Sequence, residues 1–303
     1  GFGAASLQEL AQAYQELSIL YQVSPVYAIA DTTDLSLFKS LVMIRPTDSI
    51  PADVFDRIDR YLGQGGHFLL AYNQVEANMQ YGVANATNSS IKNWLASKGL
   101  TVEDALVRDV RCGQVNVTQQ QGFFSFSTPV QFPYLPLLQT FPPHPVTKGL
   151  EQILLEFASP MQFGSHPDWD YTPLLTSSER ASREAVPLQF EVQRNWTDAD
   201  FTEKNVHLAA LLSSKQPGGG SLMVISDGDF AVNGQDQRRQ NEDNISLLVN
   251  GIDFLSDDTG LIDLRTKSVE TRPIEELSDS RRTALKYLNF LLPIGLVVLY
   301  GIY

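Results

Sequence analysis

The sequence predicts an α/β fold: a mostly parallel sheet flanked by helices, with a β-rich insertion and a C-terminal transmembrane helix. Three observations predict it. An apolar strand, a helix, a Gly-Gly break and a second apolar strand follow one another within residues 41–72. That order is a βαβ unit, and such a unit places two strands parallel with a helix over them. The texture changes between Val115 and Phe141 to alternating β-type residues with aromatics and prolines. Residues 287–303 carry no charge at all.

Taken in order, Leu7 to Leu20 sets Leu7, Leu10, Ala11, Tyr14, Leu17 and Ile19 at roughly helical spacing. Val26 to Ala30 reads as a short buried strand, and Leu41 to Ile44 as a firmer one that ends in Arg45-Pro46. Pro51 opens the next helix, where its missing N–H costs nothing. Val54, Ile58, Tyr61 and Leu62 line one face of it, and Gly63 to Gly66 end it. His67 to Tyr72 is the following strand. A helix over Ser90 to Lys98 stops at Gly99, and Leu106 to Val110 is again a strand. The 115–141 stretch reads as hairpins and extended edge segments. Ile153 to Phe157 and Thr172 to Ser177 are short strands. Val206 to Ser213 and Ser221 to Ser226 flank Lys215-Gln-Pro-Gly-Gly-Gly220, which has hairpin turn chemistry and makes that pair antiparallel. Asn244 begins a helix with Ile245, Leu248, Val249, Ile252 and Leu255 on one face, capped by Asp243 or Asn244.

The C-terminal run of 17 uncharged residues, Tyr287 to Tyr303, approaches the length of about 20 residues that spans a bilayer as a helix. Residues 1–265 are therefore read as one α/β domain elaborated at 115–141, residues 266–286 as a charged stalk, and 287–303 as a membrane helix. Gly1 in place of Met marks the chain as processed or as part of something longer. No signal peptide is legible at its start.

Composition narrows the function. The 303 residues hold 35 acidic and 22 basic groups, a net charge of −13. Nucleic-acid binding needs a basic face and is not expected. Five basic and four acidic groups lie in 266–286, leaving 17 against 31 for residues 1–265. An anionic cytoplasmic leaflet repels such a body, which leans it outward. Arg281, Arg282 and Lys286 beside the apolar run point the other way.

Catalytic signatures are sparse. Gly63 to Gly66 and Gly218 to Gly220 both feed strands and not helices, so neither builds a phosphate cradle. Cys112, the single cysteine, has no histidine near it in sequence to act as base. His67, His144, His166 and His207 match no metal spacing. No cofactor is expected. One polar cluster stands out: Ser226-Asp227-Gly228-Asp229 directly after the apolar strand Leu222 to Ile225. Carboxylates at the C-terminal end of a sheet strand occupy the place where open α/β sheets bind ligands, so Asp227 and Asp229 are the candidate ligand-binding residues. The plainer reading is an Asp-Gly turn that bonds local backbone.

Several stretches taken together resemble the ABC-type transporter auxiliary family, in particular its gliding-motility-associated substrate-binding component. They are Leu222 to Phe230, Asp243-Asn244 with Asn250 to Leu255, and Gly260 to Arg265. Upstream, Leu62 to Leu70, Tyr81-Gly82-Val83, Val107 to Cys112 and His144 to Leu150 also fit. The resemblance implies an extracytoplasmic α/β domain of flavodoxin-like or glutamine-amidotransferase-like topology without catalytic residues, anchored at the inner membrane. Its implied partners are an ABC permease and its ATPase. Two other functions fit the residues: an amidotransferase- or hydrolase-like enzyme using Cys112 or Asp227 and Asp229, and a carbohydrate-binding module on the aromatic stretch 123–141.

Overall fold

The computed structural model describes residues 2–26, 33–121, 124–233 and 240–257, with 286–289, 291, 292 and 300 near the C-terminus. Residues 1–268 form one compact unit and 269–303 a second. In the first, the chain runs through α1 (Ala11–Leu17), β1 (Ser40–Ile44), α2 (Ala52–Gly63), β2 (His67–Ala71), β3 (Val75–Asn78) and β4 (Val83–Ala86). It continues through α3 (Ser90–Ala96), β5 (Leu100–Val102), β6 (Ala105–Asp109), β7 (Cys112–Gln121), β8 (Phe124–Leu138), β9 (Ile153–Leu154) and β10 (Met161–Phe163). The last elements are β11 (Trp169–Thr176), β12 (Ala181–Ala185), β13 (Leu188–Gln189), β14 (His207–Ser214), β15 (Ser221–Ile225) and α4 (Glu242–Ser256).

The main sheet has the order β1-β2-β15-β14-β10-β5, with β11 also paired to β14. Only β1 with β2 and β2 with β15 are parallel. The pairs β15–β14, β14–β10, β14–β11 and β10–β5 are antiparallel, and so are all pairings in the smaller sheets β12-β6, β13-β4-β3 and β7-β8-β9. This overturns the expected mostly parallel, flavodoxin-like or glutamine-amidotransferase-like sheet: the protein is β-rich, with several small sheets and mainly antiparallel pairing. Connection length accounts for the β14–β15 pair. Parallel neighbours need a crossover of about a dozen residues or more. Between sequence neighbours in the main sheet, only α2 supplies one that joins parallel strands, from β1 to β2, whereas β14 and β15 are joined by the six residues 215–220.

The expected transmembrane helix is likewise not found. No helix among the described residues is long and apolar enough to cross a membrane. Residues 286–289 are helical, while the stalk at 266–285 and most of 290–303 lie outside the described residues, as do residues 27–30 of the expected strand at Val26 to Ala30.

Alternation along the central strands divides the core. On one face Leu69, Ala71, Met223, Ile225, Ala209 and Leu211 pack with Ala13 and Leu17 of α1 and Ile245, Leu248 and Ile252 of α4. On the other, Phe68, Leu70, Leu222, Val224, Ala210 and Leu212 pack with α2 and α3. There Trp94 stacks on Phe55 with centroids 5.0 Å apart. A third core, under β8, gathers Val75, Leu106, Phe132, Tyr134 and Phe190. Helix ends follow local chemistry: Asp53 in the first turn and Arg60 in the last turn of α2 complement its dipole, Ser89 caps α3, and Asn241 caps α4.

The two glycine runs meet. Gly220 N–H donates to Leu62 O at 2.7 Å, and a Cβ at Gly65 would lie 2.9 Å from Gly218 O. A Cβ at Gly220 would overlap the Gly66 carbonyl. The glycines are needed because the end of α2 and the β14–β15 turn touch backbone to backbone. Gly220→Ala is accordingly expected to cost about 3 kcal/mol or more, read as a lowered midpoint in urea unfolding; an unchanged midpoint would contradict this packing.

Candidate functional site

The C-terminal ends of the three parallel strands lie side by side, and each releases a polar residue at the same level. β1 leads into Arg45, β2 into Asn73, and β15 into Asp227-Gly228-Asp229. Arg45 holds a left-handed backbone (φ 51°) and donates its N–H to Ala71 O at 2.8 Å, which turns its side chain out at the end of the β1–β2 ladder. Gly228 passes directly beside it: a Cβ there would lie 3.0 Å from Arg45 Cα. The Asp-Gly-Asp spacing therefore has a steric cause as well as a turn preference.

Asp227 is completely buried. One of its oxygens accepts the Glu156 N–H at 2.6 Å and the other the Asp229 N–H at 2.7 Å. Burial first, and the neighbouring Asp229 charge second, raise this carboxyl well above the usual carboxylate range. Glu156, although open to solvent on its outer side, is also raised, by desolvation and by Asp229. Asp229 is 36 % exposed and accepts from Arg45 Nη1 at 3.1 Å and from Asn73 Nδ2 at 2.7 Å. Asn73 Oδ1 in turn accepts the Gly228 N–H at 2.6 Å. The second Arg45 nitrogen binds Glu9, whose carboxylate also accepts the Ser6 N–H and hydroxyl at 2.8 and 2.9 Å. The Ser6 bonds, then Arg45, hold Glu9 below the ordinary carboxylate range. Gln240 Nε2 closes the far side on Asp229 O and Val232 O, both at 3.2 Å.

The predicted pair thus separates into two roles. Asp227 is an internal strut with both oxygens on backbone N–H groups, and Asp229 is the surface member of an Arg45–Asn73–Glu9 network. Arg45, Asn73, Glu9 and Glu156 were not among the site residues expected from the sequence. The available signal was positional: Arg45 and Asn73 each follow an apolar strand, as Asp227 does.

The other candidates lie apart from this network. Cys112, half-buried at the start of β7, has its thiol pushed up by burial, which reduces the thiolate that nucleophilic chemistry requires. Of the aromatics in 123–141, Phe132 and Tyr134 are buried in the third core, with Tyr134 and Phe190 edge to face at 4.9 Å. The histidines serve local structure: ring nitrogens of His67, His144 and His166 accept backbone N–H groups, and His207 pairs with the Tyr171 hydroxyl at 2.8 Å. Among the described residues no three His, Cys, Asp or Glu side chains converge on a metal position. Two shallow depressions, of about 370 Å³ at Phe141–Lys148 and about 330 Å³ beside Asp34, Arg57 and Arg60, include neither Asp227 nor Asp229.

An acid raised in the folded state keeps its proton where the unfolded chain has lost it. Its contribution is fully present below the unfolded value near 3.8 and is lost as pH rises through the raised folded value. Urea unfolding of wild type and Asp227→Asn from about pH 4 to about pH 8 is expected to show the stability difference moving steadily in favour of the variant. The missing acceptor in the amide gives a constant offset, so a pH-independent difference would contradict a raised Asp227 carboxyl.

Comparison with known proteins places the chain. Residues 1–257 match the family model described as ABC-type uncharacterized transport system, the ABC transporter auxiliary family, and the chain belongs to that family. No curated protein matches it. Among solved structures it is similar to the mmIFT52 N-terminal domain, with 15% sequence identity and a TM-score of 0.55. That match covers 82% of this chain and 91% of the other, and at this identity the likeness is one of fold alone.

Proposed function

From membership of this family, we propose that the protein is a non-catalytic accessory subunit of an ABC transporter that works through contacts with the permease and ATPase subunits. The family match over residues 1–257 carries this reading. The geometry of the strand-end network supports it. Asp227, Asp229, Arg45 and Glu9 are joined to one another and to backbone, an arrangement suited to holding a surface in shape. A reaction centre needs a nucleophile or base left available to substrate. In this reading Asp229, at the surface, is the residue a ligand or partner reaches, and buried Asp227 is its support.

We place the body on the extracytoplasmic side of the inner membrane, because the net of −14 in residues 1–265 is repelled by an anionic cytoplasmic leaflet. The resemblance to the gliding-motility component makes surface export or gliding the process served. Purification of the tagged chain from detergent-solubilised membranes of its host is expected to bring down one ABC permease and one ATPase in fixed ratio. Cys112→Ala is expected to leave that complex and its transport unchanged. Elution without either subunit would overturn the assignment, and loss of transport in Cys112→Ala would overturn the non-catalytic reading.

A further inference from the structure

Between Arg111 and Lys148 the chain has no Asp, Glu, Lys or Arg, a run of 36 residues in a protein with 19% charged residues. This run contains the β7–β8 ribbon, whose strands pair from Cys112–Pro136 out to Gln121–Phe124. The two outer edges of the ribbon differ. Along β8, Tyr134 O and Pro136 O accept Phe157 and Leu155 N–H groups at 3.0 Å, and Leu137 and Leu138 pair with β9. The remainder of that edge carries Pro129 and Pro133, which offer no N–H. Along β7, from Gln114 to Gln121, there is neither proline nor charge, and β7 ends its sheet with no further strand paired to it among the described residues. Gln114, Asn116 and Thr118 are exposed on one face, and Val115 and Val117 are half-buried on the other. Elsewhere an edge is covered: Ile44 O on β1 accepts the Ala5 N–H at 2.8 Å. Beyond the irregularity between Cys112 and Gln114, an uncharged edge without proline is a template for another strand.

We infer that the free edge of β7 pairs antiparallel with β7 of a second copy of this chain, forming a four-stranded sheet β8-β7-β7-β8 across a two-fold axis. Charge selects this occupant. A charge on a short segment around a two-fold axis lies within a few residues of its own copy and meets a like charge, so an isologous edge must be free of charge. A different partner strand would favour complementary charges, and β7 offers none. The acidic bodies tolerate the pairing because antiparallel ribbons place them at opposite ends, about 30 Å apart for ten residues, well beyond the Debye length of about 8 Å. On the outer edges of the new sheet, which are the β8 edges, further pairing is interrupted by Pro129 and Pro133 and by β9.

Edge pairing alone buries less than the standard interface of about 1,200–2,000 Å², so a dissociation constant of about micromolar order is expected. The experiment is sedimentation velocity on the full chain over a concentration series, with circular dichroism as a fold check. Wild type is expected to shift from monomer to dimer. Asn116→Lys with Thr118→Lys, and separately Asn116→Glu with Thr118→Glu, are expected to weaken the dimer at least about tenfold through like-charge contact. An equimolar mixture of the two variants is expected to restore it. Wild type that stays monomeric, a dimer indifferent to either charged pair, or a mixture that fails to reassociate would each overturn the inference. The inference stands independently of the transporter assignment.

Discussion

Asp227 is the constraint on which this architecture turns. At the end of β15 the chain must pass Arg45 and Asn73 on neighbouring strands, receive the 153–157 segment from the third core, and leave toward α4. A buried carboxyl without partners is costly, and one that accepts two backbone N–H groups recovers most of that cost. By accepting from Glu156 and from Asp229, it ties the incoming segment to the strand end. The neighbouring bonds repeat the arrangement. Ser159 N–H donates to Ser226 O at 3.3 Å, joining this segment to the end of β15 by backbone, and Val107 N–H donates to Ala158 O at 2.9 Å, joining it to β6 on its other side. Asn244, buried in the first turn of α4, adds a further tie, bonding both Leu154 and Phe230.

Elements with a local cause were legible in the sequence. β1, α2 and β2 follow from an apolar run, Pro51, a one-sided face and a glycine stop; the β14–β15 hairpin follows from Pro-Gly-Gly-Gly; α4 follows from its apolar face. Strand direction was not legible beyond these. A continuous apolar run such as Leu222 to Ile225 shows that a strand is buried on both faces and carries no information on which neighbour it meets. The rim strands β10 and β5, three residues each, are too short for any period to show.

The site divides along the same line. Asp227 and Asp229 stood out because a turn with two carboxylates follows a strand. Their partners come from residues 9, 45, 73 and 156, and only the three-dimensional alignment of strand ends brings these together. Even the glycine runs were legible singly, as a helix stop and a turn, but not as each other's contact surface. That contact exists because β2 and β15, which follow the two runs, are neighbours in the sheet.

Charge placement connects the fold to a role among other proteins. The body carries its acidic excess outside a core that admits few ionisable groups, and the strand-end network neutralises its own carboxylates with Arg45, Asn73 and backbone N–H groups. The β7–β8 ribbon, rooted in the third core, carries no charge at all. If this ribbon served only to enlarge the fold, random substitution would have placed Lys or Glu along it, since charges on a solvent-exposed edge add solubility and prevent unwanted pairing. Along β7 from Gln114 to Gln121 neither charge nor proline stands, which fits the paired edge inferred above. An auxiliary subunit whose strand-end polar network is bonded internally, and whose β7 edge carries neither charge nor proline, is suited to act by association.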